Sequence, residues 1–245
     1  MTTTEWGSWE KILKLTKQEM VDVIYDTLEV IDRIFRQAKL DYTIFCGTML
    51  GSRRHGGLIP WDDDGDVAIQ REDEERLLAL KKTFEDEGYC LISEPIFGYR
   101  VYNPRRTITR ECDGLQIPFV DIFLIETQCN EHVYITEDAK IFFPGEPLPF
   151  GCFQRLIDVP FGHLTLRGLN KEDTQRHLNE SFGNDWNEVA WRDFDHVTGD
   201  YSEKIRVPLD RPELLRPALH SKHMLLKQRN EPIVIPSNRI ETEVH

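Results

Sequence analysis

Ile59-Pro60-Trp61-Asp62-Asp63-Asp64-Gly65-Asp66-Val67, with Gly47-Thr48-Met49-Leu50-Gly51 a short way upstream, is the stretch that decides this chain. Its carboxylates run straight into the β-propensive Val67-Ala68-Ile69, so part of that charge has to enter the fold. Like-charge repulsion and desolvation then need an offset, and a divalent cation is the strongest one available. Residues two apart on a strand share a face. Asp64 and Asp66 therefore project together and can bind one metal or bridge two, while Asp63 is expected to point away. Gly47-Thr48 reads as a tight turn whose backbone N–H groups are of the kind that bind phosphate. Metal plus phosphate points to phosphoryl-transfer chemistry.

Working outward, Thr16-Lys17-Gln18-Glu19 has the spacing of a capping box. Met20, Val23, Ile24, Leu28, Ile31, Ile34, Phe35 and Ala38 then recur at helical spacing to about Lys39. A strand is expected over Asp41–Cys46, then the Gly-Thr turn and a short helix over Met49–Arg54. Further strands are expected over Asp64–Gln70, Cys90–Ser93 and Tyr99–Tyr102, with a helix over Glu72–Glu87 between the first two. Phe119-Val120-Asp121-Ile122-Phe123-Leu124-Ile125 is the strongest strand signal, apolar except for one charge. Short strands over His132–Thr136 and Ala139–Phe143 follow, then a helix over Asn170–Phe182 that stops at Gly183. The segment beyond Trp191 is polar and proline-punctuated, with a helix expected over Glu213–Arg229 and a loose tail after Pro232. The expected fold is α/β, a mixed β-sheet flanked by helices: a catalytic domain over 1–192 and a partly helical polar appendage over 193–245.

Asp121 is a lone carboxylate in an otherwise apolar strand and needs a partner. If its strand pairs beside 64–70, three carboxylates converge. An all-oxygen set suits Mg²⁺, as one ion or two. The competing readings are a calcium loop and, for Asp121, a structural ion pair with a buried arginine. The calcium loop fails because Val67 stands where that motif needs Gly and Asp73 where it needs Glu.

The formal net charge of −13 argues against nucleic acid as the main ligand. Arg53-Arg54-His55 and the group Arg100, Arg105, Arg106 and Arg110 are gathered near the carboxylates, which suits a small phosphorylated substrate. There is no apolar run of the ~20 residues that a transmembrane helix needs. The start Met1-Thr2-Thr3-Thr4-Glu5-Trp6 has neither the basic nor the apolar part of a signal peptide, so the expected location is the cytoplasm, or the inner membrane face as a peripheral protein. The five cysteines (46, 90, 112, 129, 152) read as buried free thiols; Cys129 and His132 have zinc-ligand spacing, but no second close pair supports a zinc site.

The series strand, Gly-Thr turn, short helix, D-x-D strand and later strand with one Asp resembles the nucleotidyltransferase (polymerase β-like) superfamily. Gly47–Gly51, Arg54-His55 and Ile59–Val67 together resemble the signature of the LicD family, which includes bacterial phosphocholine transferases, fukutin and fukutin-related protein. Phe119–Phe123 is similar to its second acidic motif, and Asp158-Val159-Pro160 with Leu178–Trp186 to its closing segment. The resemblance implies metal binding at Asp64, Asp66 and Asp121, with Asp62 holding a metal-bound water or the acceptor; the alternative for Asp121 is to accept the acceptor's hydroxyl proton. It implies donor phosphates against Gly47 and Thr48, and Arg54 and His55 near the transferring group; for His55 a helix-capping role is the alternative. The implied reaction is Mg²⁺-dependent transfer of phosphocholine or an alditol phosphate from a CDP-linked donor to a glycan or glycolipid acceptor. Two rivals are an enzyme that moves NMP from an NTP, and an inactive family member acting as a binding protein. Gly65 is the one departure: the family usually carries Ile or Val there, and glycine is expected to weaken the strand and leave an unfilled spot behind the metal.

Overall fold

The computed structural model describes residues 13–195 and 200–224. The first long element is helix α1 (Gln18–Ala38), whose buried stripe is Val21, Ile24, Tyr25, Leu28, Ile31 and Phe35. It ends at Lys39 in the left-handed region, φ 53°. Lys17 stands at its N-cap and makes no capping hydrogen bond through its side chain. Thr16 is not the cap that its spacing suggested. Its hydroxyl donates to the Asp62 carbonyl (2.7 Å) and its N–H to the Pro60 carbonyl (2.9 Å), tying the helix start to the acidic loop.

The sheet is mixed, in the order β1 (Tyr42–Ile44), β2 (Gly65–Gln70), β7 (Val120–Gln128), β4 (Gly98–Tyr102), β3 (Cys90–Glu94). Only β2 and β7 run parallel; β1/β2, β7/β4 and β4/β3 are antiparallel. β8 (Glu131–Tyr134) pairs with the second half of β7. Two short strands, β5 (Ile108–Thr109) and β6 (Gln116–Ile117), form a separate hairpin. Helix α2 (Cys46–Arg54) leads from β1 towards the acidic loop. The expected helix over 72–87 is broken into α3 (Glu74–Ala79) and α4 (Lys81–Asp86), with Leu80 at their junction.

Three expectations fail locally. Ala139–Phe143 is not a strand: α5 (Glu137–Phe142) forms there, because the Thr136 hydroxyl accepts from the Ala139 N–H and acids fill its first turn. After hairpin β9 (Ile157–Phe161)/β10 (Leu164–Gly168) and α6 (Lys171–Phe182), the chain forms another hairpin, β11 (Val189–Asp195) with β12 (Asp200–Pro208). The expected domain boundary at 192/193 falls inside β11. Within the expected helix over 213–229 the described residues form a 3₁₀ turn at Pro212–Leu215, a non-helical stretch over 216–220 and helical residues 221–224; residues 225–229 and the expected tail lie outside the described residues. The irregular segment 216–220 lies along α1. Ala218 bridges Leu58, its carbonyl accepts from the Tyr25 hydroxyl (2.9 Å), and His220 and Ser221 bond Asp26 and Asp22 of α1.

Gly65 leaves no hole. A Cβ there would meet Val120 Cγ2 at 3.2 Å, Ile24 Cγ2 at 3.5 Å and Leu28 Cδ2 at 3.6 Å, so α1 fills the space the side chain would take. The expectation of an unfilled spot is therefore wrong: the residue is small because the helix sits close. Gly65→Val is accordingly expected to destabilise the protein by about 1–3 kcal/mol through overpacking. Urea unfolding checks this, and a midpoint equal to or above wild type would mean that α1 yields to the added methyls.

Candidate metal and phosphate site

The register of β2 on β7 places Asp66 directly beside Asp121. Asp64 lies two residues before Asp66 and points to the same side. Ligand oxygens of Asp64, Asp66 and Asp121 all lie within 4.8 Å of one another, and all three residues are buried. The convergence expected from sequence is present. A second trio, Asp62, Asp63 and Asp64, meets the same distance limit, so Asp63 does not point away. The Ile59-to-Asp64 loop is turned rather than extended (the Asp62 N–H donates to the Ile59 carbonyl at 3.0 Å), which breaks strand alternation before β2 begins. Among the described residues these are the only clusters of His, Cys, Asp or Glu with metal-like spacing, and Cys129 and His132 belong to neither. All five cysteines are free thiols: Cys152 is buried, Cys46 and Cys90 are half-buried, and Cys112 and Cys129 are exposed.

Helix α2 begins against these acids. Gly47 and Thr48 are not a separate turn but its first residues, entered through Cys46 at φ 36°. A Cβ on Gly47 would stand 2.7 Å from Asp62 Oδ2 and 3.3 Å from Asp66 Oδ2, so only glycine lets the helix start so close to the carboxylates. Thr48 holds Asp66 at both ends: its hydroxyl accepts from the Asp66 N–H (2.8 Å), and its own N–H donates to the carboxylate (3.4 Å). A helix N-terminus favours negative charge. It does not offset everything here. Burial, then the neighbouring Asp64, Asp62 and Asp121, push the Asp66 carboxyl well above the usual carboxylate range, with the Thr48 N–H opposing. The same acids, after burial, push the Cys46 thiol up.

Arg54 and His55 are held in the wall of the site. Arg54 Nη1 donates to the carbonyls of Trp186 (2.6 Å) and Val189 (3.0 Å), and burial lowers its pKa to about 10 although Asp62 acts against that. This explains the closing segment Leu178–Trp186: Trp186 Nε1 donates to Asn179 Oδ1 (3.0 Å), and the bend so fixed offers its carbonyls to Arg54. His55 Nε2 donates to the Leu214 carbonyl (3.0 Å), while Nδ1 accepts from Arg54 Nε (3.4 Å), an arrangement only the neutral ring can make. Burial first, then Arg54, depress its pKa to about 3. The ring lies edge-on to Trp61, with centroids 5.5 Å apart.

Arg100, grouped from sequence with arginines suited to a phosphorylated substrate, is instead bound to one of the acids. Arg100 lies opposite Asp121 on β4 and donates from Nε to Oδ1 (2.6 Å) and from Nη2 to Oδ2 (3.0 Å). The structural ion pair weighed for Asp121 is therefore real, and it coexists with the three-acid cluster. The only sequence signal was Arg100 in the Gly98–Tyr102 strand; its pairing with β7 is a matter of topology.

The family's sequence profile, described as the LicD/FKTN/FKRP nucleotidyltransferase domain, matches residues 39–167, which run from just before β1 to the end of β10 and include every acid of the site. The chain belongs to the LicD family. It is similar to the uncharacterized protein RP689 of Rickettsia prowazekii, with 27% identity over 80% of this chain and 68% of the relative. It is also similar to the lipopolysaccharide cholinephosphotransferase LicD of Haemophilus influenzae, with 30% identity over 54% of this chain and 49% of the relative. The chain thus spans about half the length of that enzyme. Among solved structures, ANT(2")-Ia in complex with adenylyl-2"-tobramycin covers 61% of this chain, and 72% of its own length, at a TM-score of 0.38 and 14% identity. No helix among the described residues is long and apolar enough to cross a membrane.

Proposed function

We propose that this LicD-family protein is a Mg²⁺-dependent transferase that moves phosphocholine or an alditol phosphate from a CDP-linked donor to a glycan hydroxyl. The observation that carries the reading is the convergence of Asp64, Asp66 and Asp121 at the N-terminus of α2. The donor set fits Mg²⁺: it is all oxygen, crowded and buried, and its Asp66 carboxyl is driven towards protonation by burial and then by its neighbours, as acids collected for a cation are. The acceptor class draws on the printed name of the Haemophilus relative and on family membership.

Asp64, Asp66 and Asp121 would hold the ion, and Asp62 and Asp63 lie within reach of Asp64 at the edge of that cluster. When bound, Mg²⁺ neutralises the donor diphosphate and its leaving oxygen. Everything else is done by the chain. Thr48 fixes the Asp66 carboxylate, and Gly47 keeps the first turn of α2 open to it. The acceptor oxygen attacks the phosphorus of the transferred group, the bond from that phosphorus to the CMP oxygen breaks, and the hydroxyl proton leaves to Asp62. Asp62 suits that task better than Asp121 because it is partly exposed, whereas both Asp121 oxygens accept from Arg100. Arg54 and His55 shape the wall rather than touch the transferring group.

The test is CMP release from CDP-choline, CDP-ribitol and CDP-glycerol, with Mg²⁺ and a panel of lipopolysaccharide-derived oligosaccharides. Release that depends on both metal and acceptor is expected. No release from any donor, or pyrophosphate released from CTP or ATP instead, would overturn the reading in favour of NMP transfer or a binding role.

A further inference from the structure

Asp121 does two jobs that conflict. Its carboxylate is one corner of the three-acid cluster, yet both its oxygens accept from the fork of Arg100, at 2.6 and 3.0 Å. The pair is largely out of water, with side-chain exposures of 12% for Arg100 and 8% for Asp121. The guanidinium is fixed from behind as well, its central carbon lying 3.8 Å from the centre of the Phe119 ring. A bidentate, ring-backed arginine is rigid and stays charged at any working pH. It therefore places a permanent positive charge beside the carboxylates that a dication would use.

We propose that Arg100 is a positioning residue that stands in for the cation: it keeps Asp121 aimed and charge-balanced in the metal-free protein and competes with the incoming ion for that carboxylate. The inference rests on the reading of Asp64, Asp66 and Asp121 as metal ligands. Its logic is Coulombic. Without Arg100 the cluster carries one more uncompensated negative charge, which destabilises the metal-free fold and strengthens the pull on a cation. With Arg100 the ion is held weakly until another anion, such as a diphosphate, adds charge of its own. The chain thereby couples metal loading to donor loading. A purely structural ion pair has no reason to share its carboxylate with two other acids.

The experiment is calorimetric titration of Mg²⁺ alone into wild type, Arg100→Gln and Arg100→Lys, with melting temperatures of the metal-free proteins. Arg100→Gln is expected to melt lower without metal and yet bind Mg²⁺ about tenfold more tightly, because a repelling charge has gone. Arg100→Lys keeps the charge and should bind within about twofold of wild type. Unchanged or weaker binding by Arg100→Gln overturns the inference, since loss of a structural contact cannot tighten an ion. If Arg100→Gln does not fold, wild type still decides: the Arg100 Nε–H resonance, assigned through Arg100→Lys, should move with added Mg²⁺ at the calorimetric midpoint, and a resonance indifferent to Mg²⁺ overturns the inference. Absence of Mg²⁺ binding by wild type itself overturns the metal assignment, a different result from Mg²⁺ binding that ignores Arg100.

Discussion

Asp66→Asn is expected to lower metal-dependent CMP release about a thousandfold, a loss of roughly 4 kcal/mol of transition-state stabilisation, while the metal-free protein melts at or above the wild-type temperature. The two effects have opposite signs for one reason. Burial first, and then the neighbouring Asp64, Asp62 and Asp121, hold the Asp66 carboxyl well above the ordinary range. Under the proposed function, that cost is tolerated for the sake of a bound cation. Asparagine has the same shape, removes the charge and can still accept the Thr48 N–H, so repulsion falls and packing is kept. Adding Mg²⁺ should raise the melting temperature of wild type and not that of Asp66→Asn, because a ligand stabilises only a chain that binds it. Retained CMP release in Asp66→Asn would remove the acid cluster from catalysis. A large fall in its metal-free melting temperature would show that Asp66 is structural instead.

The central strands and the acid trio could be read from the sequence because their signals are local. Asp64 and Asp66 share a face by strand alternation, and a single charge in Phe119–Ile125 must find a partner close by. Asp63 was misread because alternation was extended backwards into a loop that turns at Ile59–Asp62. Gly65 was misread because its neighbour is α1, forty residues earlier in the chain, whose approach no local pattern reports. Arg54 and His55 show the same limit: their partners are the carbonyls of Trp186, Val189 and Leu214, more than a hundred residues away. Backbone carbonyls leave no trace in side-chain patterns. The β11–β12 hairpin was missed because its strands mix charged with apolar residues around the short buried set Val189, Ala190 and Val207. Thr136-Glu137-Asp138, by contrast, is a local N-cap signal for α5 that the strand expected over Ala139–Phe143 leaves unused.

Acid should unfold this protein through histidines it keeps neutral. His55 and His177 are both buried, and burial holds their pKa values at about 3 and about 4. His55 is held further by Arg54 beside it, while His177 packs its ring on Phe45 at 5.2 Å between centroids. In the unfolded chain both return to about 6.5. Below that pH the unfolded state binds protons that the folded state refuses, so stability falls as pH drops from 6.5 towards the folded values. Each histidine should contribute a slope of about 1.4 kcal/mol per pH unit and a loss of about 3 kcal/mol by pH 4. Two of them together reach a large share of the roughly 5–15 kcal/mol that holds a domain folded. Cooperative unfolding, with loss of both α1 and the C-terminal segment packed on it, is therefore expected between about pH 5 and 4. The double variant His55→Gln/His177→Gln is less stable at pH 7, because it loses packing and the Leu214 contact, but its melting temperature should decline far less steeply between pH 6.5 and 4. An unchanged slope would place the acid sensitivity elsewhere, in ion pairs such as Arg36–Asp158, whose carboxyl is held below its usual range by Arg36 and gives way only at lower pH.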